Sequence, residues 1–249
     1  MPAFRTVLGV DVIGASSLSP YHREKLPALV DKIVRDALAT RNVLVSPEAW
    51  QHTGDGALIS FPCEQLANVV DATQLMNELA AAHTRDSKPD VRLRLSIDIG
   101  PLPLENGLYN TNIACTRMLD AAVFKAVLAT CHERQPHDFS SGLILSEAAH
   151  HLAFGDHYAE LVPARDFGRI PFRHKELKAA AWIRVPGFDA DTLARLGKEL
   201  AEPQSSVAAS AAPALAPGSV SNVAHGNFSG IQAGTISGGV NMNTRNPEN

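Results

Sequence analysis

The sequence has little charge, few aromatic residues and no long hydrophobic run. Charged residues make up 19% and aromatic residues 6% of its 249 residues, and the formal net charge is -4. No block of Lys or Arg stands out, so bulk electrostatics predict no nucleic-acid binding. No apolar run approaches the roughly 20 residues that span a bilayer, so we expect no membrane partner. A hydrophobic content of 45% is typical of an ordinary globular protein.

Several chemistry-bearing motifs are also missing. Cys63, Cys115 and Cys131 show no CxxC spacing, which is typical of a reducing compartment. Residues 1–5 lead directly into an apolar run, so we expect no signal peptide and a cytoplasmic location. The sequence has no Walker A loop, GxGxxG, HExxH or nucleophile elbow. It therefore gives no indication of the phosphate-binding, zinc and hydrolase sites that these motifs form.

Residues 6–14 form an apolar run interrupted by one charged residue, Asp11. A run of this length that ends at Gly14 predicts a buried strand. A carboxylate inside such a strand is costly unless it is paired or binds a metal. The alternative is that Asp11 lies at the strand end and accepts hydrogen bonds from nearby amides.

Residues 50–62 predict a hairpin with a tight turn at Gly54, Asp55 and Gly56. Asp55 taken alone is an ordinary turn former. Taken with Asp11, it completes a two-carboxylate site. A hard cation such as magnesium takes one or two carboxylates and fills its shell with water and phosphate oxygens.

The remaining periodicity predicts an α+β fold. We expect helices at 21–40, 65–83, 111–129 and 191–201, strands at 91–100, 143–145, 161–170 and 180–185, and a polar insert at 132–141. Ser146 is expected to cap a further helix. The order of these elements predicts a mixed sheet covered by helices. The domain is assigned to residues 1–188, a trailing helix and linker to 189–222, and a separate tail to 223–244.

The linker and the tail differ in composition. Ala, Pro and Ser dominate from about residue 203 to 221 and predict a flexible, disordered segment. In the tail, Phe228 followed by Ser-Gly is echoed eight residues later by Ile236 followed by Ser-Gly. Two interpretations remain open: copies of the tail stack as β-arches, or the tail is disordered and of low complexity.

Taken in order, these motifs resemble the class III nucleotidyl cyclases. Residues 10–14 are similar to the family's first-strand Asp-Ile-x-Gly motif, 52–56 to its Gly-Asp hairpin, and 112–118 to its Asn-x-Ala-x-Arg helix. Residues 175–176 with 181–185 resemble its closing strand pair. The resemblance covers about residues 4–187 and implies a ferredoxin-like sandwich. The order and spacing of the parts are more specific than any single motif.

The resemblance implies a reaction and a set of roles. Two Mg²⁺ or Mn²⁺ ions would bind a nucleoside triphosphate at Asp11, Asp55 and the carbonyl of Ile13. Arg117 matches the arginine that stabilises charge on the phosphoryl oxygens, and Asn112 loosely matches the asparagine that positions the ribose. In the family these two residues come from the opposite subunit, which implies a homodimer.

Further contacts to the substrate follow from the same resemblance. The amides of Gly14, Ala15 and Ser16 would face the phosphates, close to the hairpin at Gly54. Three features depart from the family: Asn112 lies one residue too far from its arginine, Ala-Ser replaces Phe-Thr after the glycine, and residues 123–141 are longer than usual.

The residues that would recognise the base of the nucleotide are assigned less directly. Gln51 stands where purine cyclases carry Lys or Glu, and Trp50 precedes it. A bulky Trp50 would shorten the pocket and favour a pyrimidine, as in the bacterial anti-phage pyrimidine cyclases. The alternative is that Trp50 packs in the core. Glu105 or Asn106 loosely matches the second base-reading position.

The tail resembles the short amyloid-signalling motifs of bacterial defence proteins, with residues 232–240 as the matching core. By analogy, a receptor with a similar motif would template this tail. Three functions therefore remain open: an active cyclase controlled by its tail, an inactive cyclase-fold adaptor, and a nucleotide-binding sensor without turnover.

Overall fold

A seven-stranded mixed sheet forms the centre of the molecule. The computed structural model describes residues 3–102, 110–136, 139–155, 159–174 and 177–201. The strand order is β2-β3-β1-β4-β5-β7-β6; β4 and β5 are parallel and the other neighbours antiparallel. The strands are β1 (Ala3–Val12), β2 (Trp50–His52), β3 (Ala57–Pro62), β4 (Leu93–Leu102), β5 (Ser141–Ser146), β6 (Gly168–His174) and β7 (Leu177–Arg184).

Six α-helices in the described residues cover this sheet. They are α1 (Pro20–Thr40), α2 (Leu66–Asp86), α3 (Asn110–Asp120), α4 (Ala122–Arg134), α5 (Glu147–Phe154) and α6 (Ala190–Ala201). The helical and strand elements confirm the α+β fold with a mixed sheet that the sequence predicts. None of these helices combines the length and hydropathy that a bilayer-spanning segment needs.

Strand alternation gives the sheet two distinct faces. Leu8 and Val10 of β1 join the buried cluster that contains side chains of α1, α2 and α5, and we call this side the α1 face. Val7 points the other way and packs against Cys115 of α3, which defines the α3 face. Asp11 shares the parity of Val7, so its side chain belongs to the α3 face.

Two segments differ from the sequence-based expectation. The predicted polar insert at 132–141 is wrong at both ends, because α4 continues to Arg134 and β5 begins at Ser141. The predicted strand at 161–170 begins only at Gly168. The amides of Leu161 and Val162 instead donate to the buried carboxylate of Asp71, which removes them from a strand ladder.

The helix at 111–129 is divided at Ala121 into α3 and α4. Ser146 caps α5 as expected, since its hydroxyl accepts a hydrogen bond from the amide of Ala149 at 3.1 Å. Helix α6 lies in the same compact unit as the sheet. A Cβ on Gly197 would come within 2.1 Å of Ile170 Cγ2, so the helix approaches β6 closely.

Some of the sequence predictions lie outside the described residues. These are Glu105 and Asn106 as base readers, Lys175 and Glu176 before the last strand, the linker and the tail at 223–244.

Candidate active site

The antiparallel pairing of β1 and β3 brings the two predicted carboxylates together. Val10 pairs with Ala57 in this register, so Asp11 lies beside the turn that carries Asp55. The turn is closed by a 3.0 Å hydrogen bond from the Thr53 amide to the carbonyl of Gly56. Both residues are partly buried. Asp11 and Asp55, which helix α1 and strand β2 separate in the chain, are thus close enough for the charge of Asp55 to act on Asp11.

Arg94 of β4 is the direct partner of Asp11. The two residues are opposite each other in the antiparallel register of β1 and β4. Arg94 Nε donates to Asp11 Oδ2 at 2.7 Å, and Arg94 Nη2 donates to the same oxygen. Their side chains are only 17% and 22% exposed. The sequence leaves pairing, metal binding and hydrogen bonds from amides open for Asp11, and the structure shows that it pairs with Arg94.

The pKa of Asp11 is nevertheless raised. Burial is the largest cause, and the nearby charges of Asp55 and Asp120 also raise it, whereas Arg94 lowers it. Asp120 is the last residue of α3 and forms an exposed ion pair with Lys125. Arg94 does not compensate fully for the desolvation and repulsion around Asp11, so the charged form of this carboxylate remains disfavoured.

The loop after β1 carries the residues predicted to meet phosphates. The amide of Ile13 donates to the carbonyl of Arg92 at 2.8 Å and extends the ladder by one step. Gly14 has a φ of 79° and begins a short 3-10 turn at Ala15–Ser17. A left-handed conformation of this kind is accessible to glycine at little cost.

This loop is braced from α1. Arg23 Nη2 donates to the carbonyls of Ser16 and Leu18 at 2.7 and 3.0 Å. The side chain of Ala15 is buried, while Gly14 and Ser16 are exposed. The loop consequently has a defined path next to Asp11.

Arg117 and Asn112 lie on different sides of α3. Asn112 is buried, whereas Arg117 is partly buried. Five residues of an α-helix turn through about 140° beyond a full circle. Ile113, one turn before Arg117, shares its side of the helix. The structure therefore does not bring the predicted ribose-positioning amide to the same side as the predicted arginine.

Trp50 and Gln51 also point to opposite faces of the sheet. Trp50 pairs with Ile59 and is buried in the α1-face cluster, and the Arg35 guanidinium lies 4.0 Å from its ring centroid. Gln51 pairs with Leu58 and is partly buried. Gln51 thus shares the α3 face with Asp11, and Trp50 does not.

The chemistry of the donor set fits a hard divalent cation. Asp11 and Asp55 supply carboxylate oxygens, and the Ile13 carbonyl lies two residues beyond Asp11 in the chain. Magnesium commonly uses one or two carboxylates and keeps several waters. Across the described ranges, no group of three or more His, Cys, Asp or Glu side chains is arranged to hold a metal. A cation here would accordingly need oxygens from water and a ligand.

Sequence reasoning misses Arg94 and Asp120 as members of this site. Arg94 is visible in the sequence as a polar position of an alternating strand. Nothing local indicates that its strand pairs with the one carrying Asp11. Asp120 is identified only when α3 is placed across β1 and β4.

No protein-family model and no curated protein matches this sequence. Several solved structures are similar to it. An adenylate/guanylate cyclase/hydrolase from Silicibacter pomeroyi has 17% identity and a TM-score of 0.51, covering 76% of this chain and 99% of that one. The guanylyl cyclase Cya2 has 15% identity and a TM-score of 0.48, covering 76% and 99%. The adenylyl cyclase CyaB from P. aeruginosa has 9% identity and a TM-score of 0.47, covering 77% and 97%.

The likeness to the Silicibacter pomeroyi structure concerns the fold. It extends over nearly all of that chain, and it shows that this protein has the fold of adenylate and guanylate cyclase catalytic domains.

Proposed function

We propose that this chain is a nucleotidyl cyclase, which converts a nucleoside triphosphate to a 3′,5′-cyclic mononucleotide and pyrophosphate. The observation that carries the proposal is the pairing of β1 with β3, which places Asp11 beside Asp55 on a cyclase fold. The acidic side chains of Asp55 and Asp120 near Asp11 support it, because their repulsion, which contributes to the raised pKa of Asp11, is relieved when a cation binds.

The residues of this chain would bind and orient the substrate. Two Mg²⁺ or Mn²⁺ ions, when bound, supply positive charge to the triphosphate and lower the pKa of the ribose hydroxyl. Asp11, Asp55 and the carbonyl of Ile13 would hold them. The amides of Gly14, Ala15 and Ser16 would face phosphate oxygens at the loop that Arg23 braces.

In this reaction the 3′-oxygen attacks the α-phosphorus in line. The bond from that phosphorus to the oxygen bridging to the β-phosphate breaks, pyrophosphate leaves, and the hydroxyl proton passes to solvent water. Arg117 would stabilise the negative charge on the phosphoryl oxygens. We propose that it acts from the second subunit of a homodimer. The buried position of Asn112 makes it the weaker of the two proposed catalytic residues.

We further propose that Gln51, which lies on the same face as Asp11, contacts the base of the nucleotide. Trp50 would influence the base only indirectly, because it packs beneath α1 and Arg35. The proposal of a bacterial defence role, with tail-controlled activity and a receptor that carries a similar motif, rests on residues 223–244 and on analogy.

Pyrophosphate release by the full chain tests the proposal. ATP, GTP, CTP and UTP would each be supplied with Mg²⁺ or Mn²⁺, and the cyclic product identified by mass spectrometry. We expect turnover of at least one nucleotide, with loss of turnover in Asp11→Asn and Asp55→Asn. Asp36→Asn is a matched control, because Asp36 forms an exposed ion pair with Lys32 on α1.

The result distinguishes the competing functions. Absence of turnover for all four nucleotides would exclude an active cyclase. Cation-dependent nucleotide binding without pyrophosphate would then support a sensor, and absence of binding would support an adaptor.

A further inference from the structure

The bond between Arg94 and Asp11 involves a single carboxylate oxygen. Both Arg94 Nε and Nη2 donate to Oδ2 of Asp11. The two oxygens of a carboxylate offer about four lone-pair sites in all, roughly two on each. Two fixed donors therefore fill the accepting capacity of Oδ2, whereas Oδ1 accepts from neither of them.

This arrangement also places a permanent positive charge beside the candidate cation site. A guanidinium stays protonated at any pH at which a protein is folded. Both side chains of the pair are largely buried, so solvent screens their charges poorly. A divalent cation at Asp11 would be repelled by Arg94 and would find one of the two carboxylate oxygens already used.

We propose that Arg94 competes with divalent cations for Asp11, so that the cation-free site is held closed by this internal ion pair. The inference rests on the proposed function only in taking Asp11 as a cation ligand. Arg94 is then a positioning residue, which occupies Oδ2 in the absence of a cation and leaves it when a cation binds.

The neighbouring Arg92, which lies immediately before β4, provides a matched control. Arg92 has the same parity as Arg94 and lies two residues earlier. Its guanidinium contacts His132 Nε2 of α4 instead of Asp11. Removing the charge of Arg92 changes the overall charge by the same amount but leaves the Asp11 ion pair intact.

Manganese binding to the full chain without nucleotide measures the competition directly. Electron paramagnetic resonance of free Mn²⁺ would give the dissociation constant. We expect Arg94→Gln to bind Mn²⁺ about tenfold or more tightly than the parent, and Arg92→Gln to bind like the parent. The double variant Asp11→Asn with Arg94→Gln should not show this increase in Mn²⁺ affinity.

A second variant and a second measurement distinguish the proposed competition from an effect of misfolding. Arg94→Lys keeps the charge but has no rigid fork, and should show a smaller gain of the same sign. The Mn²⁺-dependent increase in thermal stability should be larger in Arg94→Gln than in the parent, because at a given concentration a ligand stabilises the folded state more when its dissociation constant is lower. Equal or weaker Mn²⁺ binding by folded Arg94→Gln would overturn the competition.

This experiment needs no turnover. A chain without cyclase activity that shows the expected Mn²⁺ pattern would refute the proposed function alone. A chain that loses turnover in Asp11→Asn but gains no Mn²⁺ affinity in Arg94→Gln would refute the competition alone.

Discussion

Gly56 lies directly against the carbonyl of Val10, where an added Cβ would come within 2.0 Å of the oxygen and 3.1 Å of Asp11 Cα. Both of these neighbours are backbone atoms and cannot rotate away. The glycine after Asp55 is thus required by the close approach of the hairpin to the strand that carries Asp11.

Gly56→Ala should separate the hairpin from β1 and disturb both carboxylates. We expect a loss of about 1–3 kcal/mol in the free energy of unfolding, as for other overpacked positions, together with weaker Mn²⁺ binding. Urea unfolding and Mn²⁺ titration would measure the two effects. A folded Gly56→Ala with unchanged stability and Mn²⁺ affinity would contradict this account.

Gly54→Ala is the matched comparison within the same turn. Gly54 has a φ of 99°, but no heavy atom lies within 4 Å of an added Cβ. Alanine there adds backbone strain of about 1–2 kcal/mol without pushing on β1. Its Mn²⁺ affinity should fall less than that of Gly56→Ala.

The local part of this site is predictable from sequence and the long-range part is not. Asp11 stands out because it interrupts an apolar run, and Asp55 because glycines flank it. Arg94 is separated from Asp11 by 83 positions. Alternation shows that it is polar, but only the pairing of β1 with β4 shows which residue it meets.

The face of the sheet on which a residue lies is a second feature that the local sequence does not determine. Trp50 and Gln51 are neighbours in sequence, so both are candidates for one pocket. Their strand sends them to opposite faces, and the choice between core and pocket depends on which side α1 covers. The spacing is likewise decisive on α3, where Asn112 is buried and Arg117, five residues later, lies on another side of the helix.

Asp71 ties the segment before β6 to α2. Its side chain is fully buried, Oδ2 accepts from Arg41 Nη2 at 3.0 Å and from the Glu160 amide at 2.9 Å, and Oδ1 accepts from the Leu161 and Val162 amides at 2.8 and 3.1 Å. Asp71→Ala would leave these donors without their acceptor.

We expect Asp71→Ala to lower the free energy of unfolding by about 3–5 kcal/mol, the usual effect of breaking a buried ion pair. Asp36→Ala, which removes an exposed pair, should cost about 0.5 kcal/mol or less. Guanidinium unfolding would compare the two. A cost for Asp71→Ala no larger than that of the control would show that the segment is held by other contacts.

His150 should make stability depend on pH. Its ring stacks on Trp182 with centroids 3.9 Å apart and contacts Phe167 edge-on. Burial, and to a lesser extent the charge of His151, lowers the pKa of His150 to about 4 from its ordinary value of 6.5. The unfolded chain therefore binds more protons than the native one between these values, and the stabilisation is present above 6.5 and lost as pH falls through 4.

His150→Phe retains an aromatic ring and removes the titration. We expect its urea midpoint to fall less than that of the parent between pH 7 and pH 4.5. His151→Gln, at the exposed neighbouring position, should largely retain the parent's pH dependence. Parallel curves for the parent and His150→Phe would show that His150 does not contribute.

Arg117 gives the sharpest test of how the active site is assembled. Arg117→Met should lower the turnover number by about 10²–10³, the usual loss when one donor to a developing oxyanion is removed, and leave Mn²⁺ binding unchanged. Arg134→Met, at an exposed position near the end of α4, should retain parental turnover. If two copies share each site, Asp11→Asn and Arg117→Met each have little or no activity alone, but a heterodimer of the two has one intact site.

An equal mixture of these two variants should recover about a quarter of the parental activity after random exchange, since half of the dimers are mixed and each holds one working site. If Arg117 acts on Asp11 of its own chain, every site in the mixture carries one of the two lesions and no activity returns. Recovery on mixing therefore establishes a shared site, and its absence between exchanging subunits would place Arg117 and Asp11 in one site of the same chain.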